Sequence, residues 1–186
     1  MENAGEPILI KQTLNGNTLA FAQLVDMYKT MVFNIVVKVL KSREEAEECA
    51  QDVFIKIYQS LDSFKSEAKF STWLYRIAFN TAISRARKKK VYITELNENI
   101  TQEYTDDEIY TKFEQWNYEE QQIAIDKAIN LLPADEAVIV TLFYLEEKSV
   151  EEVAFIAGLT KSNVKVKLHR AQKKLYAILN NLMKED

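Results

Sequence analysis

Apolar residues recur at steps of three and four between residues 17 and 40, at Phe21, Leu24, Val25, Tyr28, Val32, Ile35, Val36 and Val39. That is the spacing of one face of an α-helix. Ser42-Arg43-Glu44-Glu45 has the form of a capping box, in which the serine accepts from a backbone amide and the glutamate reaches back. It opens a second helix, to about residue 61. A polar link over residues 62–69 precedes Ser71, a good N-cap for a third helix that runs into a basic cluster. Periodicity fades between residues 90 and 118, apart from a cap pattern at residues 105–108. This stretch reads as a linker, with Ile109, Phe113 and Trp116 as docking candidates within it.

Helical spacing resumes near Glu119 and runs to Leu132, where Pro133 breaks it, and a further helix is predicted over residues 135–145. Ser149-Val150-Glu151-Glu152 is a second capping box, and its short helix stops at Gly158, a residue suited to a left-handed C-terminal stop. Thr160 then caps a long last helix with the stripe Val164, Leu168, Ala171, Leu175, Ile178 and Leu182. A short helix, a glycine turn and a longer basic helix have the grammar of a helix-turn-helix. The expected fold is all-α. Two small helical domains, residues 1–90 and 119–186, are joined by an acidic linker of residues 91–118, and the C-terminal domain is a helix-turn-helix.

Composition narrows this picture. Three Gly and two Pro in 186 residues leave little room for tight β-turns. No apolar run approaches bilayer length, and the first seven residues lack the basic-then-apolar layout of a secretory leader. The single cysteine, Cys49, allows neither an intrachain disulfide nor a cysteine-rich zinc site. A cytoplasmic location without membrane insertion is expected. The net charge of −4 discourages a nucleic-acid reading until it is divided. Residues 1–90 carry +4, residues 91–121 carry −8, and the remainder is neutral. Residues 85–90 hold five cations, and residues 161–174 hold six cations and no acid. Two basic patches either side of an acidic stretch are compatible with DNA binding.

Side chains of the last helix sort by angle at roughly 100° per residue. Opposite its apolar stripe stand Ser162, Val166, His169, Arg170 and Lys173, flanked by Asn163 and Lys165. Cations and amides at a helix N-terminus suit phosphates and base edges in a major groove. Val166 is either a thymine-methyl contact or an incidental surface residue. His169, with no Cys or second His at ligand spacing, reads as a phosphate or solvent contact. On the second helix Ala46, Cys49, Ala50, Val53, Phe54 and Ile57 make a core face. Ile55 lies opposite, ringed by Glu48, Gln51, Asp52 and Gln59, an apolar centre in a polar rim as in a small protein interface. The third helix is apolar almost all round. Trp73, Leu74, Ile77 and Thr81 make one face, of which Trp73, Leu74 and Ile77 read as packed, whereas Tyr75 and, more weakly, Phe79 read as a surface platform for unpaired bases. Arg76, Lys69 and Lys65 stand ready for the strand backbone, and Arg85, Arg87 and residues 88–90 for duplex phosphates.

Two stretches resemble a known pattern. Residues 46–58 (AEECAQDVFIKIY) and 70–80 (FSTWLYRIAFN) look like the second conserved region of extracytoplasmic-function sigma factors of bacterial RNA polymerase. Leu131-Leu132-Pro133, residues 149–158 and residues 164–171 (VKVKLHRA) resemble the fourth region. Glu48 stands where the family usually has Asp, Ser84 where it has a second carboxylate, and Val166 where it has a small polar residue. The resemblance implies a subunit that binds core RNA polymerase and directs promoter-specific initiation. Core binding falls to Glu48, Gln51, Asp52, Ile55 and Gln59. Recognition and melting of the minus-ten element fall to Lys65, Lys69, Ser71, Thr72, Tyr75, Arg76, Asn80 and Arg87, with a base pocket in residues 62–69. The minus-thirty-five duplex falls to Thr160, Ser162, Asn163, Lys165, Val166, Lys167, Arg170 and Lys173. The linker would thread toward the polymerase active-site channel. Partners are core RNA polymerase and promoter DNA, duplex and melted, with an anti-sigma factor as a further candidate. No cofactor or metal is called for. An ordinary helix-turn-helix repressor leaves the first domain unexplained, and a scaffold leaves the basic last helix unexplained. A helical enzyme lacks a glycine-rich phosphate loop and metal-ligand spacing.

Overall fold

The structure, a computed structural model, describes residues 5–90 and 117–185. Every regular element among them is helical. The chain divides into two compact units between Arg87 and Lys88. The expected linker, residues 91–118, lies outside the described residues except at its end, as do the cap pattern at residues 105–108 and Ile109, Phe113 and Trp116.

The first unit holds α1 (Glu6–Leu14), α2 (Thr18–Leu40), α3 (Arg43–Ser60), a 3₁₀ turn (Leu61–Ser63) and α4 (Phe70–Lys90) up to Arg87, the last three residues of α4 falling past the division. Asn17 caps α2 by accepting from the Leu19 and Ala20 amides, and Ser42 caps α3 by accepting from the Glu45 amide at 3.4 Å. Helix α2 buries Ala20, Leu24, Val32, Ile35, Val36 and Val39 and packs on α1 and α3. α3 turns Ala46, Cys49, Val53 and Ile57 inward. At 23 residues α2 is, by length and composition, apolar enough to cross a bilayer, with Asp26, Lys29 and Lys38 interrupting any continuous apolar run. Here its apolar face is spent on the core of the unit.

Two boundaries differ from the sequence reading. α1 was not predicted at all; it starts with Pro7 in its first turn, where a missing N–H costs nothing. It is pinned by a buried carboxylate, Glu6, that accepts from the Tyr28 hydroxyl. α4 begins at Phe70, with the Lys69 carbonyl taking the Trp73 amide at 3.1 Å, so Ser71 sits inside the first turn and is not the cap.

The second unit holds α5 (Tyr118–Leu131), α6 (Ala134–Val140, continued by a π-helical turn, Thr141–Leu145), α7 (Val150–Ala157) and α8 (Lys161–Glu185). The start of α5 is set by a capping box, Asn117 with Glu120, which the sequence reading missed. α7 has the predicted one: the Glu152 amide donates to Ser149 Oγ at 3.1 Å and the Ser149 amide to Glu152 Oε2 at 2.9 Å. α8 packs on α5, α6 and α7. Ala171 and Ile178 of α8 join Ala128, Ile129, Leu132 and Val140 in one apolar cluster, with Leu175 and Leu182 at its margin.

Gly158 ends α7 at φ 66°, a left-handed conformation that costs an L side chain roughly 1–2 kcal/mol. Nothing stands within 4 Å of where a Cβ would lie, so the cost of a side chain there is backbone strain alone. Gly158→Ala is therefore expected to lower the stability of the second unit by about 1–2 kcal/mol, read as a fall in its thermal midpoint. An unchanged midpoint would show that the turn relaxes without the glycine.

Candidate partner and nucleic-acid interfaces

Three surfaces gather the sequence-predicted residues. The first is the outer side of α3. Ile55 is 54% exposed, and Glu48, Gln51, Asp52 and Gln59 around it are all exposed. Tyr58, which sequence reasoning passed over, lies beside it, 44% exposed and braced edge-on against Phe21 with ring centres 4.9 Å apart. The structure also brings Arg85 of α4 to this face. Its guanidinium donates to Glu48 Oε2 and stands 3.6 Å from Asp52 Oδ2. Its hydrogen bond to Glu48 raises the Arg85 pKa. Burial pushes the thiol of Cys49, just beneath, upward against the pull of Arg85. Arg85 thus leaves the run of cations assigned to duplex phosphates.

The second surface runs from the 3₁₀ turn to the exposed side of α4. Phe64, Phe70 and Trp73 form an aromatic triangle, with ring centres 5.1 Å (Phe64–Phe70), 5.5 Å (Phe64–Trp73) and 5.7 Å (Phe70–Trp73) apart. Tyr28 closes on Phe70 at 5.7 Å. Beside it a cleft of ≈ 470 Å³ is walled by Glu6 and Pro7 of α1, Phe64, Ser66 and Lys69. Ser66 is held at φ 58°, a left-handed bend that turns the chain around the cleft. Lys65, Lys69, Arg76, Asn80 and Arg87 are exposed, and Ser71 is half-buried.

Two minus-ten candidates do not reach this surface. Tyr75 is 1% exposed and Thr72 1%; Phe79, the weaker platform candidate, is 6% exposed. A ring that deep offers no face to a base, so the stacking role given to Tyr75 is corrected. The half-buried aromatic on this side of α4 is Trp73.

The third surface is the outer face of α7 and α8. Thr160 Oγ1 accepts the Asn163 amide at 3.2 Å, the predicted cap. Ser162, Asn163, Lys165, His169, Arg170 and Lys173 are exposed, and Val166 among them is 47% exposed. Lys167 departs from the expectation. Its ammonium donates to Asp135 of α6 at 2.6 Å. Burial pushes the Asp135 carboxyl up, but the Lys167 hydrogen bond and charge, with backbone amides, outweigh it and hold the group below its usual range. Lys174 is similarly bound to both oxygens of Glu136 at 2.9 Å. These two lysines face their own unit. At the other end Lys161 reaches back to Glu151 of α7 at 2.7 Å, across the glycine turn.

Among the described residues no group of three His, Cys, Asp or Glu side chains has metal-site geometry.

Residues 24–91 match the family described as Sigma-70 region 2, and residues 122–175 match Sigma-70, region 4. The chain is 33% identical to the ECF RNA polymerase sigma factor SigW of Bacillus subtilis, over 93% of this chain and 96% of the relative. It is 31% identical to the ECF RNA polymerase sigma-E factor of Haemophilus influenzae, over 98% and 99%. Among solved structures its fold resembles the sigma factor RpoE in complex with the anti-sigma factor NepR from Bartonella quintana. There the TM-score is 0.63 at 22% identity, covering 86% of this chain and 96% of that one.

Proposed function

We propose, for a chain that belongs to the extracytoplasmic-function group of bacterial RNA polymerase sigma factors, a division of labour among the three surfaces. As a member of that family of transcription initiation factors it directs promoter-specific initiation. Core polymerase docks on α3, with Ile55 at the centre and Glu48, Gln51, Asp52 and Gln59 as its rim. The melted minus-ten strand runs over Trp73, with Lys65, Lys69, Arg76, Asn80 and Arg87 along its backbone. An extruded base enters the aromatic-walled cleft, which offsets the few kcal/mol of unstacking. The minus-thirty-five duplex meets Thr160, Ser162, Asn163, Lys165, Val166, Arg170 and Lys173 of the helix-turn-helix.

The observation that carries this reading is the α3 patch. An exposed isoleucine inside a ring of acids and amides sits on the helix that the region 2 match covers. The protein acts in the cytoplasm and leaves bond-making to the polymerase. An anti-sigma factor is a further partner, as in the complex of the structural neighbour.

The test is transcription by purified core polymerase from fragmented genomic DNA of the source organism, with and without this chain. New starts downstream of a shared two-block motif support the reading; no added initiation rejects it. A finer prediction separates the α8 cations. Arg170→Ala is expected to weaken promoter binding evenly across sequences and to reduce the log–log salt slope by about 1. Lys167→Ala, with its ammonium already on Asp135, is expected to leave the slope nearly unchanged. Equal effects of the two in a salt titration would overturn this assignment.

A further inference from the structure

We infer that Arg85 is a positioning residue for polymerase binding, holding Glu48 and Asp52 in place beside Ile55 before the partner arrives. This rests on the reading of α3 as the polymerase-facing surface. Glu48 and Asp52 are four residues apart on one helix, a spacing at which like charges repel and splay. Arg85 comes from a different helix and spans them, one amino group on Glu48 and the other toward Asp52. An arginine fork is planar and fixed, so two carboxylates bound to it share one geometry. The fork thus engages two carboxylates one turn apart on α3. Only 33% of the Arg85 side chain is exposed, against 62% for Glu48 and 59% for Asp52. The carboxylates remain open to a partner, while two-thirds of the side chain that bridges them is covered.

One cation against two carboxylates leaves the face with net negative charge, and a basic surface is the complement it fits. Ordering two flexible acids in advance removes a cost that association otherwise bears. Lys56, one turn beyond Asp52, donates to Thr81 of α4 at 3.2 Å. That second tie keeps α3 and α4 in register when Arg85 is changed. The opposite arrangement, in which Arg85 competes with the partner for the same acids, makes the reverse prediction.

The experiment measures affinity of the full-length chain for core RNA polymerase, with circular dichroism at the same temperature giving the folded fraction of each variant. Arg85→Gln is expected to weaken binding about ten-fold per folded molecule, equivalent to about 1.4 kcal/mol. Arg85→Lys, which keeps the charge without the fork, should recover only part of that. In combination with Glu48→Gln the effects should fall short of additive. Unchanged affinity of Arg85→Gln overturns the inference, and tighter binding overturns it in favour of competition. A loss fully accounted for by the folded fraction overturns it in favour of a purely structural ion pair. Ile55→Lys separates the layers. If it leaves affinity intact, the α3 surface itself is misassigned; if it abolishes binding while Arg85→Gln does not, only the role of Arg85 fails.

Discussion

Ile55→Lys is expected to weaken binding to core RNA polymerase by at least about 30-fold, the effect of losing a central hot-spot side chain worth ~2 kcal/mol or more. Ile55 is more than half exposed, so the substitution takes nothing from the core, and helix content and thermal midpoint should stay as they are. The new ammonium would sit among Gln51, Asp52 and Gln59, where it meets a carboxylate that the partner needs. Charge of the wrong sign at the centre of a docking patch costs more than truncation, so Ile55→Ala should fall between wild type and lysine. Gln51→Arg, at the rim, should act in the same direction with a smaller effect. Surface-immobilised core polymerase titrated with each variant gives the ordering directly. Equal affinity across the series would mean that polymerase engages another part of the chain.

Tyr75→Ala is expected to unfold or strongly destabilise the first unit, by about 3–5 kcal/mol as for a large aromatic removed from a packed core. Every activity of that unit should fall together. Trp73→Ala should behave differently. Trp73 is half-buried, against the rings of Phe64 and Phe70, so the loss of packing is smaller. What disappears is an aromatic face, worth ~1–3 kcal/mol to a stacked base. Permanganate reactivity of the minus-ten thymines should therefore drop for Trp73→Ala at polymerase affinity close to wild type. For Tyr75→Ala, polymerase affinity and strand opening should decline in step with the thermal midpoint. If Tyr75→Ala stays folded and fails only in opening, the burial argument is wrong and the ring reaches DNA after all.

The contrast between these two aromatics explains what was legible in the chain and what was not. Helices α2 to α8 announce themselves through three-and-four spacing and through caps with a local mechanism, at Ser42, Ser149, Gly158 and Thr160. α1 did not, because Ile8, Leu9 and Ile10 are contiguous and its tie to the unit, Glu6 on Tyr28, is a contact across 22 residues. α4 is apolar on most sides, so angle alone could not say which aromatic faces outward; neighbouring helices decide that. Arg85 and Lys167 are hidden for a different reason. Each sits in a run of cations, yet Arg85 stands seven residues after Ala78 and four after Thr81, both buried. Lys167 stands three after Val164 and four before Ala171, also buried. Helical period placed each at the edge of the apolar stripe, facing acids on an adjacent helix. The information was in the spacing, and the charge run obscured it.

The pairing of Lys167 with Asp135 and of Lys174 with Glu136 has a thermodynamic corollary. Two rivets, seven residues apart on α8, join it to the first turn of α6 and fix its roll about its own axis. The helix-turn-helix accordingly meets the groove as a finished wedge, with little left to crystallise out of disorder. Calorimetric titration against a minus-thirty-five duplex should then return a small heat-capacity change, set by the footprint alone and without the large increment that coupled folding adds.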